Sequence, residues 1–179
     1  MKKILAFFLT VLTFLSCKST LEVVEHSTNY STLVGNEKFR GVIFLESANC
    51  FMCLQDKNRF SPTIEEIRKT EEILERKLKL ANKPLINQGH GCPIIHKNLN
   101  NYRRQYFGYT DDNNNKIIYV TFNWDKYTLF NRLQGIEKDK SKKWKRELQN
   151  VLDGCSNHWE IKVNLKKEAL FDLEINGSA

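Results

Sequence analysis

The sequence predicts an α+β fold in which one long helix packs on an antiparallel sheet of about five strands. Three observations lead there. Residues 61–81 carry one amphipathic helical pattern, residues 103–124 switch to two β-rich runs joined by a polar turn, and three more short β-rich runs follow. A strand, a helix and then strands in succession favour a helix laid on one face of an antiparallel sheet. The 179 residues suit one domain, and the 41% apolar content is too high for a disordered chain. Eight Gly, three Pro and a single long apolar run exclude collagen, coiled coil and a multi-span membrane protein.

The chain opens on Met1-Lys2-Lys3 and an apolar run, Ile4 to Leu15. That run is shorter than the roughly 20 residues a membrane span needs and fits a secretory signal peptide. Phe14-Leu15-Ser16-Cys17 follows, and it resembles the lipobox of bacterial lipoproteins, with Phe14 where Leu is usual. The resemblance implies cleavage after residue 16, acylation of Cys17 (palmitate among the chains) and membrane attachment, since several acyl chains hold where one would not. Lys18 stands where an Asp would imply retention at the inner membrane, so the expected location is the outer membrane, facing periplasm or surface. Losing residues 1–16 removes two lysines and no acid, which takes the formal charge from +7 to +5. Export makes nucleic acid an unexpected partner despite that charge.

Residues 17–37, rich in Ser, Thr, Asn and Glu, read as a lipidated tether, and residues 38–179 as the single α+β domain. Gly41 to Glu46 reads as a buried strand. Ser61 is the expected N-cap and Pro62 the first helical residue, with Glu65 and Glu66 at the positive end of the dipole and Arg76, Lys77 and Lys79 at the negative end. Ile64, Ile67, Leu74 and Leu78 mark one helical face. Residues 82–101 form a polar connection. Arg103–Tyr109 and Lys116–Trp124 read as a hairpin across Asp111 to Asn115, and residues 147–152, 159–165 and 169–175 as further strands.

Cys50-x-x-Cys53 is the sharpest local signal, placing two sulfurs within reach of a disulfide, a redox couple or a metal. A thioredoxin-like reading lacks the expected parallel βαβ pattern downstream. Zinc needs four ligands, and Cys50, Cys53, His90, Cys92, His96, Cys155 and His158 supply the residue types without compact paired spacing. Disulfides among Cys50, Cys53, Cys92 and Cys155 are the favoured reading in an oxidising compartment, with three connectivities open. Asp111, Asn113 and Asn115 imitate the start of a calcium loop, but Lys116 and Phe122 stand where Gly and Glu are required, so a solvated hairpin tip is expected. Lys138, Lys140, Lys142, Lys143, Lys145 and Arg146 surround Trp144 and form a candidate surface for an anionic envelope component. There is no G-x-S-x-G, no H-E-x-x-H and no Gly-rich phosphate loop, and no catalytic residue is nominated.

Phe60-Ser61-Pro62-Thr63, Tyr102 to Tyr109, Lys116 to Val120, Val151 to Gly154 and the closing Asp172 to Ala179 together resemble a group of small uncharacterised lipoproteins common in Bacteroidetes. Cys155 stands where a second Gly often follows Asp-Gly in that group. The resemblance covers most of residues 58–179 and implies a cystatin-like domain, a helix laid on a curved antiparallel sheet. It assigns no activity and no site residues. The expected function is an outer-membrane-anchored, non-catalytic extracytoplasmic binding module without a cofactor, its partner an envelope component or another envelope protein. The alternative is a thiol-redox or zinc protein built on Cys50 and Cys53.

Overall fold

The computed structural model describes residues 20–48, 54, 58–126, 133, 142–149 and 151–177. Among the described residues eight strands form one mixed sheet: β1 (Glu22–Thr28), β2 (Ser31–Gly35), β3 (Arg40–Phe44), β4 (Asn58–Phe60), β5 (Tyr102–Thr110), β6 (Lys116–Trp124), β7 (His158–Asn164) and β8 (Ala169–Ile175). The α-helix α1 (Ile64–Ala81) lies between β4 and β5 in the chain. The strand order is β1-β2-β3-β5-β6-β7-β8, with β4 beside β5. This corrects the expected cystatin-like, five-stranded antiparallel sheet, because β3 runs parallel to β5, pairing Gly41 with Arg104 through Phe44 with Phe107. The same edge of β5 then takes β4 antiparallel at Gly108 to Thr110. A parallel pair needs a long crossover, and α1 belongs to it.

Residues 22–35, expected as tether, are the first two strands of the sheet. β1 is an edge strand with exposed Val23 and Val24 and two register shifts against β2. An edge strand exposed to water needs little apolar sequence, and such irregularities discourage pairing with another chain. Leu21, just before β1, is already in the core at 5% exposure.

The helix starts two residues later than expected, at Ile64 instead of Pro62. Thr63, and not Ser61, is the N-cap: its hydroxyl accepts from the Glu66 N–H, and the Glu66 carboxylate accepts from the Thr63 N–H. This reciprocal pair satisfies two otherwise orphaned donors. Ile67, Ile73, Leu74 and Leu78 point into the core, the face expected from the sequence. Residues 147–149 and 151–152, expected as a strand, are irregular.

The central strands are buried on both sides. Tyr102 and Tyr106 of β5, Ile118, Val120 and Phe122 of β6 and Trp159, Ile161 and Val163 of β7 meet α1. Phe107, Tyr109, Ile117 and Tyr119 form a second apolar layer with Val42, Phe44 and Trp144. Gly108 permits β4 to close on β5, because a Cβ there would lie 2.7 Å from the Phe60 carbonyl oxygen. On β8 a bulge between the pairs Glu160–Glu174 and Lys162–Phe171 places Asp172 at φ 47°. It allows Leu170, Leu173 and Ile175 all to pack on the helix-side core although strict alternation would turn one of them away.

Candidate functional site

The second face of the sheet is apolar toward the β3 side and polar toward β7 and β8. Gln105, 1% exposed, holds a cover over it. Its Nε2 donates to the Trp144 and Glu147 carbonyls, each at 2.8 Å, and its Oε1 accepts from the Gln149 N–H at 2.9 Å and the Thr121 hydroxyl at 3.2 Å. At the far wall the Asn176 amide donates to the Val151 and Asp153 carbonyls. Between these supports a cleft of about 380 Å³ opens over β6, β7 and β8, within the range of small-molecule sites.

Tyr119, His158, Glu160 and Glu174 line it. The Tyr119 hydroxyl donates to Glu160 Oε2 at 2.6 Å. Glu160 and Glu174 are direct cross-strand partners, a placement that costs energy when both are charged. Burial pushes the Glu160 carboxyl above its ordinary value, with the Glu174 charge adding to the shift, while Tyr119 and Lys162 pull it back. Lys162 is neutralised by Asp172 at 2.8 Å. His158 Nδ1 lies 2.8 Å from Asn123 Oδ1. An amide oxygen only accepts, so Nδ1 carries the proton and Nε2 is left with its lone pair. Burial, with the Arg103 charge, holds this imidazole below its usual range and so neutral at pH 7.

Three residues lining the cleft carry a buried polar atom with no hydrogen-bond partner among the described residues: Asn123 Nδ2, on a residue 4% exposed, Gln149 Oε1 and Trp159 Nε1. Leaving such atoms unpaired costs about 1–3 kcal/mol each.

A larger cleft of about 820 Å³ lies beside α1. Six of its eight charged residues pair with one another: Arg104 with Glu71 at 3.1 Å, Lys38 with Glu75 at 3.3 Å and Arg76 with Glu168 at 2.9 Å. The Tyr106 hydroxyl also donates to Glu71, at 2.8 Å. Most of the cleft's charge is thus already compensated within the protein.

The residues nominated from the sequence disperse. Cys92 and Cys155 form a disulfide with Cα atoms 6.1 Å apart, which removes both from any zinc site. His90 is an exposed turn residue at φ 50°. His96 Nδ1 accepts from the Asn82 amide at 2.9 Å, helping to fix the C-cap of α1. Among the described residues no three His, Cys, Asp or Glu side chains gather as metal ligands. Cys17, Cys50, Cys53, Lys138 and Lys140 lie outside the described residues. The earlier objection to a βαβ crossover falls, since β3, α1 and β5 form one; the C-x-x-C still sits more than ten residues before α1 in the chain instead of at its N-terminus.

Lys142, Lys143 and Arg146 are exposed, whereas Lys145 pairs with Glu25 at 3.0 Å. Trp144, taken with them as a surface aromatic, is 6% exposed and plugs the second apolar layer, with the Arg103 guanidinium 5.2 Å from its ring centre. The Asp111 carboxylate accepts from the Asn113 and Asn115 N–H groups, so the imitation calcium loop is a self-bonded hairpin tip. The polar cleft escaped sequence reading. Alternation along β7 does turn His158, Glu160 and Lys162 to one face, but Glu174 joins them only through the strand register.

Comparison with protein-family models, curated proteins and solved structures gives no match for this chain.

Proposed function

We propose that the protein is an outer-membrane-anchored lipoprotein, held by lipid on Cys17, that acts as a non-catalytic extracytoplasmic binding module through the cleft over β6, β7 and β8. The observation that carries this reading is the pair of unpartnered buried atoms, Asn123 Nδ2 and Gln149 Oε1, at a cleft of ligand size. A ligand that hydrogen-bonds both recovers free energy the empty protein forgoes. The nearby Thr121 hydroxyl is committed to Gln105 and not to His158 or Glu160, which speaks against an activated nucleophile.

The Cys92–Cys155 bond suits an oxidising compartment. Leu21, four residues after Cys17, is already packed in the core, so a lipid on Cys17 would hold the domain against the membrane surface. Among the described residues no helix is long and apolar enough to cross a membrane. The test has two arms. Labelled palmitate should enter the wild-type chain and not Cys17→Ala, and the variant should leave the membrane fraction. A fragment screen followed by amide NMR should perturb the Asn123 and Gln149 side-chain signals; a screen whose hits all fall elsewhere defeats the binding-module reading.

A further inference from the structure

We infer that the cleft recognises a sugar ring carrying a free amine: hydroxyls meeting Asn123, Gln149 and His158, and an ammonium group between Glu160 and Glu174. The inference rests on the proposal that this cleft is the binding site and adds the chemistry of the occupant.

Two kinds of unmet need meet in one small space. Asn123 Nδ2 is a donor without a partner and Gln149 Oε1 an acceptor without one. His158 Nε2 is a further open acceptor, since its Nδ1 holds the hydrogen bond to Asn123. Turning the Asn123 amide over would exchange donor and acceptor and still leave one of its polar atoms unmet. A group that serves both roles is therefore required, and a hydroxyl donates one hydrogen bond while accepting others. A carboxylate or phosphate ligand only accepts; it would leave Gln149 Oε1 and His158 Nε2 unmet and would face two glutamates.

The glutamates supply the second half. Glu160 and Glu174 stand opposite one another across β7 and β8. Lys162, the nearest cation on β7, is already held by Asp172. Tyr119 gives Glu160 one hydrogen bond, and the exposed Glu174 carboxylate takes no hydrogen bond from the described residues. A cation placed between two like charges relieves their repulsion and gains from both. Among the described residues the cleft holds no third carboxylate, and a compact ammonium with three donors suits two carboxylates better than a metal that demands four or more ligands. Leu148, Val151 and Ile175 at the rim supply apolar surface for the carbon face of the ring.

The full-length chain in detergent is titrated with a fully deacetylated glucosamine tetramer, its N-acetylated counterpart and spermine, following the Asn123 and Gln149 side-chain amides by NMR. The deacetylated tetramer should bind at least tenfold more tightly than the acetylated one and shift both amides. Glu174→Gln, a neutral isostere at an exposed position of an outer strand and so expected to fold, should weaken that binding at least fivefold and reduce the preference for the amine by the same factor. Equal binding of both tetramers overturns the ammonium half. Spermine binding with both tetramers inert overturns the sugar while leaving the cleft as a binding site, and no binding by any of the three overturns the inference. A fragment bound in the cleft would still uphold the binding-module reading.

Discussion

Arg104 and Glu71 form an ion pair beneath α1, Nε to carboxylate 3.1 Å, with the guanidinium 1% exposed and its carbon 3.7 Å from the centre of the Phe39 ring. The remaining guanidinium nitrogens donate to the Tyr102 and Leu99 carbonyls. One side chain thus joins the helix, the central strand and the loop that precedes it. Glu71→Ala would leave the arginine buried without its counter-charge and should lower stability by about 3–5 kcal/mol. Urea unfolding measures it, and replacing Glu71 and Arg104 together with Leu and Met should recover much of the loss. A single variant as stable as wild type would show the pair to be idle.

The Cys92–Cys155 bond joins residues 63 apart in sequence. A loop of that length implies about 4 kcal/mol of stabilisation through the unfolded chain. Cys92→Ser with Cys155→Ser should lose most of it in urea, and wild type in reductant should fall to the same midpoint.

Trp144 caps the second apolar layer, and its carbonyl is one of the anchors of Gln105. Trp144→Ala should cost about 3–5 kcal/mol. It should also loosen the segment that carries Gln149, visible as faster amide exchange over residues 142–149.

Glu160 gives the stability a pH dependence of known sign. Its proton is held more tightly in the folded chain than at the ordinary value of 4.5. Between 4.5 and the raised folded value the native state binds the more protons, so stability falls as pH rises through that window. Glu160→Gln should remove this contribution. The difference between wild-type and variant urea midpoints, taken from pH 4 to pH 8, should therefore change most just above 4.5 and flatten beyond the folded value.

Lys142, Lys143 and Arg146 remain exposed. Changing the three to Gln should weaken adsorption of the full chain to anionic vesicles at low salt, and raising the salt should erase the difference. Unchanged adsorption at low salt would show that this surface does not contact anionic lipid.

Much of the architecture is legible in the sequence where periodicity is strong. The α1 face of Ile67, Leu74 and Leu78, the β5–β6 hairpin and the strands β7 and β8 follow from alternation and turn residues. The rest depends on partners distant in the chain. β1 is too polar to announce itself because an edge strand buries little, and the short run of β3 gives no sign that it will align parallel to β5 across 60 residues. The start of α1 was misplaced because Ser61-Pro62 imitates a cap that Thr63 and Glu66 make in fact. The candidate site was the least legible part: Asn123, Glu160 and Glu174 are ordinary residues until β6, β7 and β8 are set in register, and Gln149 arrives from an irregular segment that Gln105 holds in place.

The bond between Cys92 and Cys155 closes a covalent ring around β5, β6 and the whole segment up to β7. A protease that cuts once anywhere between the two cysteines opens the ring without releasing a fragment. The nicked protein would migrate as one species until reduced, and both halves of the polar cleft would stay on the same particle.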